Sequence, residues 1–195
     1  GSITQSYATG VVTGSGVNQA GLVGVNFGDI TESFWDSFTT GQATAIGTDT
    51  TNVQVVGEVS GDWNAPGVSA YQAANYAGFD FSSSGAWFIA EGSSRPMLRA
   101  TLNFTQDGAG RNQITNVYQL QGMAADLAGD YVLANNIDAS LISANGNTSN
   151  VWGGRGFAPV GNNSGNHFTG SLDGQGFVID GLTINRDSQD FVGLF

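Results

Sequence analysis

The chain has 195 residues (20.1 kDa), enough for one domain with a sizeable core or for an elongated stack of roughly 6–9 coils of about 20–30 residues each. Sixteen acids against five arginines and no lysine give a formal charge of −11, which excludes a surface of clustered cations, so neither nucleic acid nor an anionic membrane is expected as a partner. Cysteine is absent, which removes disulfides and zinc-thiolate sites, and no run approaches 18 consecutive apolar residues, so no membrane insertion is expected.

Gly1-Ser2 reads as a cloning remnant rather than part of a signal peptide, and the chain as an internal segment of a longer protein. Residues 1–40 read as a first block of short strands over residues 7–13, 22–25 and 30–35, with Gly, Asn and Asp at the corners. Ile3-Thr4-Gln5-Ser6-Tyr7 is echoed by Ile30-Thr31-Glu32-Ser33-Phe34, position by position in hydrophobic and polar class. Phe34 and Trp35 are adjacent, so a strand would send one to the core and leave the other partly exposed; Phe27 and Phe38 are expected in the same aromatic cluster.

Residues 41–112 shift towards Thr, Ala, Gly and Val and read as an intervening segment. A strand is expected at residues 53–56, and a short helix over residues 68–77 between Pro66-Gly67 and Gly78, with Tyr71 and Asn75 on one face. Short strands follow at residues 79–81, 86–89 and 97–100, with a turn at residues 92–96.

Residues 113–195 read as a second, helix-led block. Val117, Leu120, Met123 or Ala124, and Leu127 recur at helical spacing, so a helix is predicted over residues 114–128, stopped by Gly129. A strand follows from Tyr131 through Ile137, and residues 140–156 are expected to be a polar surface excursion. From His167 to the end, Leu172, Val178, Leu182, Ile184, Val192 and Leu194 alternate with polar or small residues between sharp Asp-Gly corners.

Strands this short, with corners this close, predict a mainly β fold: a parallel β-solenoid (β-helix) with two short helices and loop excursions. Gly21-Leu22-Val23-Gly24, the flanking Ile3 to Gly10 segment, Phe34-Trp35-Asp36 and Thr39-Thr40-Gly41-Gln42 resemble the GLUG repeat of very large secreted bacterial adhesins of the filamentous-haemagglutinin and two-partner-secretion type. Phe157-Ala158-Pro159-Val160-Gly161 and Leu172-Asp173-Gly174-Gln175-Gly176 resemble the head of such a block, and residues 114–138 its lead-in. The resemblance implies a right-handed parallel β-solenoid segment of a secreted or cell-surface adhesin, neighbouring repeats as partners, and no catalytic residues.

The chemistry-bearing residues agree with a non-enzymatic segment that needs no cofactor. Asp173, Asp180, Asp187 and Asp190 could supply paired carboxylates for glycan hydrolysis, but Asp173 and Asp180 precede glycine, where aspartate is favoured for turn geometry alone. His167 is the sole histidine, which excludes a His-Glu-x-x-His metallopeptidase site, and no Gly-x-Ser-x-Gly motif accompanies it. Neither an EF-hand loop nor a calcium-binding nonapeptide repeat is present. Asn103-Phe104-Thr105, Asn147-Thr148-Ser149 and Asn162-Asn163-Ser164 match the glycosylation sequon but mark polar loops. The expected function is structural and adhesive, with a host-surface or carbohydrate receptor and head-to-tail self-association as possible partners. The alternative is a carbohydrate-acting or carbohydrate-binding β-helix.

Overall fold

The computed structural model describes residues 1–50, 54–64, 69–142, 148, 150–161, 165–186, 189–190 and 192–195. The expected strand at Val53, the start of the expected helix at Val68, Asp187 and the sequons at Asn147 and Asn162 fall wholly or partly outside them.

The echo in the sequence is a stacking relationship in space. Strands β1 (Ser2–Thr4) and β2 (Tyr7–Ala8) lie in parallel register on a longer strand two elements on; β3 (Val23–Asn26) precedes that strand, β4 (Asp29–Asp36). Ile3 pairs with Ile30, Thr4 with Thr31 and Tyr7 with Phe34, and the side chains repeat the match. Thr31 Oγ1 donates to Thr4 Oγ1 at 3.1 Å, and Gln5 Nε2 donates to Glu32 Oε2 at 3.1 Å. Gln5 and Glu32 even share a left-handed backbone, φ 46° and 48°, so the strand bends identically in both layers. A four-residue helix, α1 (Ser37–Thr40), follows β4, then β5 (Ile46–Asp49) beside β3 and β6 (Gln54–Val59) on the other edge of β4, both pairings parallel.

Between the two blocks the backbone is mostly turns, and aromatic packing replaces strand pairing. Tyr76, Phe79 and Trp87 are buried against Phe34 and Val59, with Phe79 stacked on Trp87 at 4.3 Å between ring centroids. The strands here are the antiparallel pair β7 (Trp87–Phe88) and β8 (Met97–Leu98).

The second block holds the larger core. Strand β9 (Thr105–Gln106) pairs antiparallel with β10 (Asn112–Ile114), after which Asn116 caps α2 (Val117–Gly122) by accepting the Gln119 N–H at 2.9 Å. The helix tightens into a 3-10 turn, Met123–Ala125. Val117, Leu120 and Met123 are fully buried, as their spacing predicts, but the helix starts later than expected because residues 112–114 are taken by the sheet. β11 (Asp130–Leu133) runs parallel to β10, β12 (Ile137–Asp138) follows it, β13 (Ser171–Asp173) adds to β11, and β14 (Ile179–Asp180) pairs with β12.

These pairings overturn the expected continuous parallel β-solenoid. The strands divide among five separate sheets of two to four strands, and β7 with β8 and β9 with β10 run antiparallel. A solenoid needs a near-constant coil length. Here the parallel step is 27 residues from Ser2 to Asp29, 23 from Val23 to Ile46, 19 from Asn112 to Tyr131 and 41 from Asp130 to Ser171. With most strands only two to four residues long and unequal excursions between them, the core combines side chains of strands, helix and turns rather than stacking coil on coil. The architecture is mainly β, built of small mixed sheets.

Several local expectations are corrected with it. Phe34 and Trp35 are both buried, at 5% and 8% exposure, because α1 folds over the second face and Trp35 Nε1 donates to the Gln42 carbonyl at 3.0 Å. Phe27 and Phe38 are exposed and join no cluster. The expected helix over residues 68–77 reduces, among the described residues, to a 3-10 turn at Ala73–Asn75, and residues 79–81 form no strand. The expected surface excursion instead delivers Trp152 to the centre of the core, where it joins Phe157 from the following stretch, each without exposed surface. Leu172, Leu182, Ile184 and Leu194 pack on that core as expected, whereas Val178 and Val192 face solvent.

Candidate functional site

An open groove of about 690 Å³ lies where the first block, the β7–β8 hairpin and α2 meet. Tyr7 stands at its centre, 5.9 Å from Trp87 ring to ring, and its hydroxyl donates to the Pro96 carbonyl at 2.5 Å. Met97 and Trp87 are the buried floor, and Tyr118, itself stacked on Trp152 at 5.4 Å, forms a half-buried wall. Gln5, Thr101 and Leu98 are exposed at the rim. Burial pushes the Tyr7 hydroxyl up to about 12, partly opposed by the positive charge of Arg95, so at neutral pH it is a hydrogen-bonding phenol and not a base. Among the described residues no acid, histidine or arginine lines the groove, an unusual neutrality in a chain this acidic. Hydroxyl and amide groups beside aromatic surface suit an uncharged polar ligand.

Behind the groove a column of charged and aromatic side chains ties the blocks together. Asp36 and Arg95 form an ion pair at 2.7 Å with no side-chain exposure on either. Asp36 Oδ1 accepts the N–H groups of Phe38, Thr39 and Gly61, while Oδ2 receives both Nε and Nη2 of Arg95. Arg95 Nη1 donates to the carbonyls of Thr148 and Asn150, so each of the three guanidinium nitrogens is engaged. Gly61 is required at this point: a Cβ there would lie 2.0 Å from Arg95 Nη2.

The guanidinium of Arg95 lies 5.1 Å from the Tyr71 ring, and Tyr71 is stacked on Trp63 at 3.5 Å with 6° between planes. On the other side of Trp63 come Arg155, 4.3 Å from the ring centroid, and Arg186, 5.9 Å from it. Trp63 Nε1 donates to the Gly153 carbonyl, and Gly153, at φ 58°, leaves room that a Cβ would take from the Tyr71 hydroxyl. Neither Asp36 nor Arg95 stands out in the sequence, since both lie outside any apolar period. The available signal was scarcity, because a chain with five arginines commits each to a defined role.

Of the candidate acids, Asp173, Asp180 and Asp190 lie among the described residues, and no hydrogen bond joins any two of them there. Asp173 closes β13 and accepts the Gln175 N–H at 3.0 Å, a turn corner as expected, and also pairs with Arg111 at 2.8 Å, a contact 62 residues away that the sequence did not suggest. Hydrogen bonds from Gln175, then from Arg111, hold its carboxyl below the usual range. Asp180 lies at the end of β14, opposite Asp138, and Asp190 is exposed. His167 is also exposed. Among the described residues, no three His, Asp or Glu side chains come together as a metal site. No helix among them is long and apolar enough to cross a membrane.

No protein-family model and no solved structure matches the chain. A stretch of 84 residues, 43% of the chain, is 37% identical to Halomucin of Haloquadratum walsbyi. It spans only 1% of that far longer protein.

Proposed function

We propose that this chain is a non-enzymatic structural and adhesive segment of a large protein at the cell surface or outside the cell. The observation that carries the reading is the stacking of Ile3 to Tyr7 on Ile30 to Phe34, with matching side chains and matching backbone bends. Such self-similar layers are how a chain builds length from repeated units. The GLUG-like motifs support the same reading, and so does the partial likeness to Halomucin, by its name a mucin. Neighbouring repeats, and other copies of the segment head to tail, are its partners on this reading.

Of the two classes of ligand contact expected, the groove favours binding of a neutral carbohydrate over cleavage of one. Its lining offers Tyr118, Gln5 and Thr101 for stacking and hydrogen bonding, and no carboxylate pair for acid-base work. Beads coated with the folded chain should be retained on dextran-coated surfaces and released by soluble dextran. Replacing Tyr118 with Ala should reduce retention severalfold while the fold's circular dichroism stays native. Retention no greater than that of uncoated beads, or release of reducing sugar from the dextran, overturns the proposal.

A further inference from the structure

We propose that Arg155 and Arg186, set around the Trp63 ring, form an oxyanion site that takes a carboxylate or sulfate group. Arg186 is 4% exposed, and its Nε and Nη1 are buried without a hydrogen-bond partner among the described residues. Its one engaged nitrogen, Nη2, donates to the carbonyls of Ser93, Gly156 and Phe157 over 3.2 to 3.4 Å, the long end of the range. Arg155, half-buried, has its guanidinium over the same ring and no ion pair among the described residues. Two guanidinium groups therefore share one aromatic ring, and neither has an ion pair to a carboxylate among the described residues.

A buried charge left uncompensated is costly, and unmet charged donors are where a counter-ion is worth most. The other buried arginine of the column shows the contrast: Arg95 has Asp36 and two carbonyls, and each of its three guanidinium nitrogens is engaged. Burial, then the neighbouring charge of Arg155, pulls the Arg186 guanidinium down to about 10, the shift that a bound anion would reverse. Arg155 and Trp63 are both partly open to solvent, so the anion enters from their side and meets the field of Arg186 behind them. Trp63 supplies a flat wall beside the charge, suited to the ring of an acidic sugar. The site is distinct from the neutral groove, and this inference does not rest on the adhesive reading.

The test titrates the whole chain with sodium sulfate, sodium acetate and sodium glucuronate, each against sodium chloride at matched ionic strength, and reads melting temperature and binding heat. A saturable rise with at least one oxyanion is expected, and Arg155→Gln should weaken it at least fivefold. Stronger binding of glucuronate than of acetate assigns the site to sugar-borne carboxylates; preference for sulfate assigns it to a tetrahedral anion. Arg186→Gln should abolish binding, and because that buried variant risks misfolding, the half-buried Arg155 carries the decision. Absence of saturation with all three salts, or undiminished binding by Arg155→Gln, overturns the proposal.

Discussion

Asp36 and Arg95 are 59 residues apart in sequence and 2.7 Å apart in the fold, and together they fix the first block to the carbonyls of Thr148 and Asn150. The pair also caps α1 and anchors Gly61, so it organises three separate segments. Removing one partner strands the other as a buried charge. Arg95→Met should cost about 3–5 kcal/mol, seen as a lower urea midpoint with an unchanged slope. Arg95→Lys should recover only part of that loss, since an ammonium cannot reproduce the fork that spans Oδ2 and two carbonyls. A variant melting like the parent would mean the pair contributes nothing to the fold.

The two ends of the pH scale test burial directly. Tyr7, Tyr71 and Tyr131 are each pushed up to about 12, first by burial, and Tyr76 is raised further for the same reason. Unfolded tyrosines release their protons near pH 10, while the folded ones hold them. The stability they contribute is thus complete below pH 10 and is lost as pH climbs towards 12. Arg186, lowered to about 10, acts in the opposite sense over the same window but is one group against four. Phenolate absorbance and loss of circular dichroism should therefore rise together above pH 10. At the acid end, Asp80, Asp107, Asp138 and Asp173 are held below the usual carboxylate range by hydrogen bonds, so their contribution is lost as pH falls below that range. Tyrosines titrating near 10 with the fold intact would contradict the burial.

How much of this was legible in the sequence depended on the range of the interaction. The match of Ile3 to Tyr7 with Ile30 to Phe34 was readable because class repeats position by position, and parallel pairing preserves that order. Val117, Leu120 and Met123 were readable because helical spacing is local. The continuous solenoid was not a sound extrapolation, because motif recurrence says nothing about equal coil length. Phe27 and Phe38 misled because an aromatic residue beside a buried strand is not thereby buried. Trp152, surrounded by Asn, Ser and Gly, gave no periodic signal, yet its Nε1 donates to the buried Gln121 side chain at 2.8 Å. The groove was equally hidden, since its walls come from four separate stretches of chain.

Two substitutions, one at the end of β13 and one just after β14, separate corner chemistry from core packing. Asp173→Asn keeps the bond from the Gln175 N–H and loses the solvent-exposed ion pair to Arg111, which retains Asp107. The melting temperature should stay within a few degrees. Leu182 packs on the core of the second block, and Leu182→Asp places an unpaired charge against it. That should cost several kcal/mol, a large part of a typical stability of about 5–15 kcal/mol. Melting curves of the two variants, compared side by side, check the register: equal melting would move Leu182 out of the core.

The final prediction concerns charge. In the β12 and β14 pairing, Asp138 sits in register with Asp180, both exposed, so two carboxylates face each other across neighbouring strands. Like charges in that position repel, and the formal charge of −11 adds a background field of the same sign. Ser140 donates its backbone N–H to Asp138 at 2.9 Å, which holds that carboxylate ionised and keeps the repulsion in place at neutral pH. Raising sodium chloride from 0.01 M to 1 M shortens the screening length from about 30 Å to about 3 Å, so the parent chain should melt several degrees higher in the stronger salt. Asp180→Asn removes one member of the facing pair without touching the Asp138 bond. It should raise the low-salt melting temperature by on the order of 1–3 °C and have no effect at 1 M, where the repulsion is already screened. A gain that persists at 1 M salt would mean that the substitution acts through packing or the turn at Gly181 and that the opposed carboxylates are not the cause.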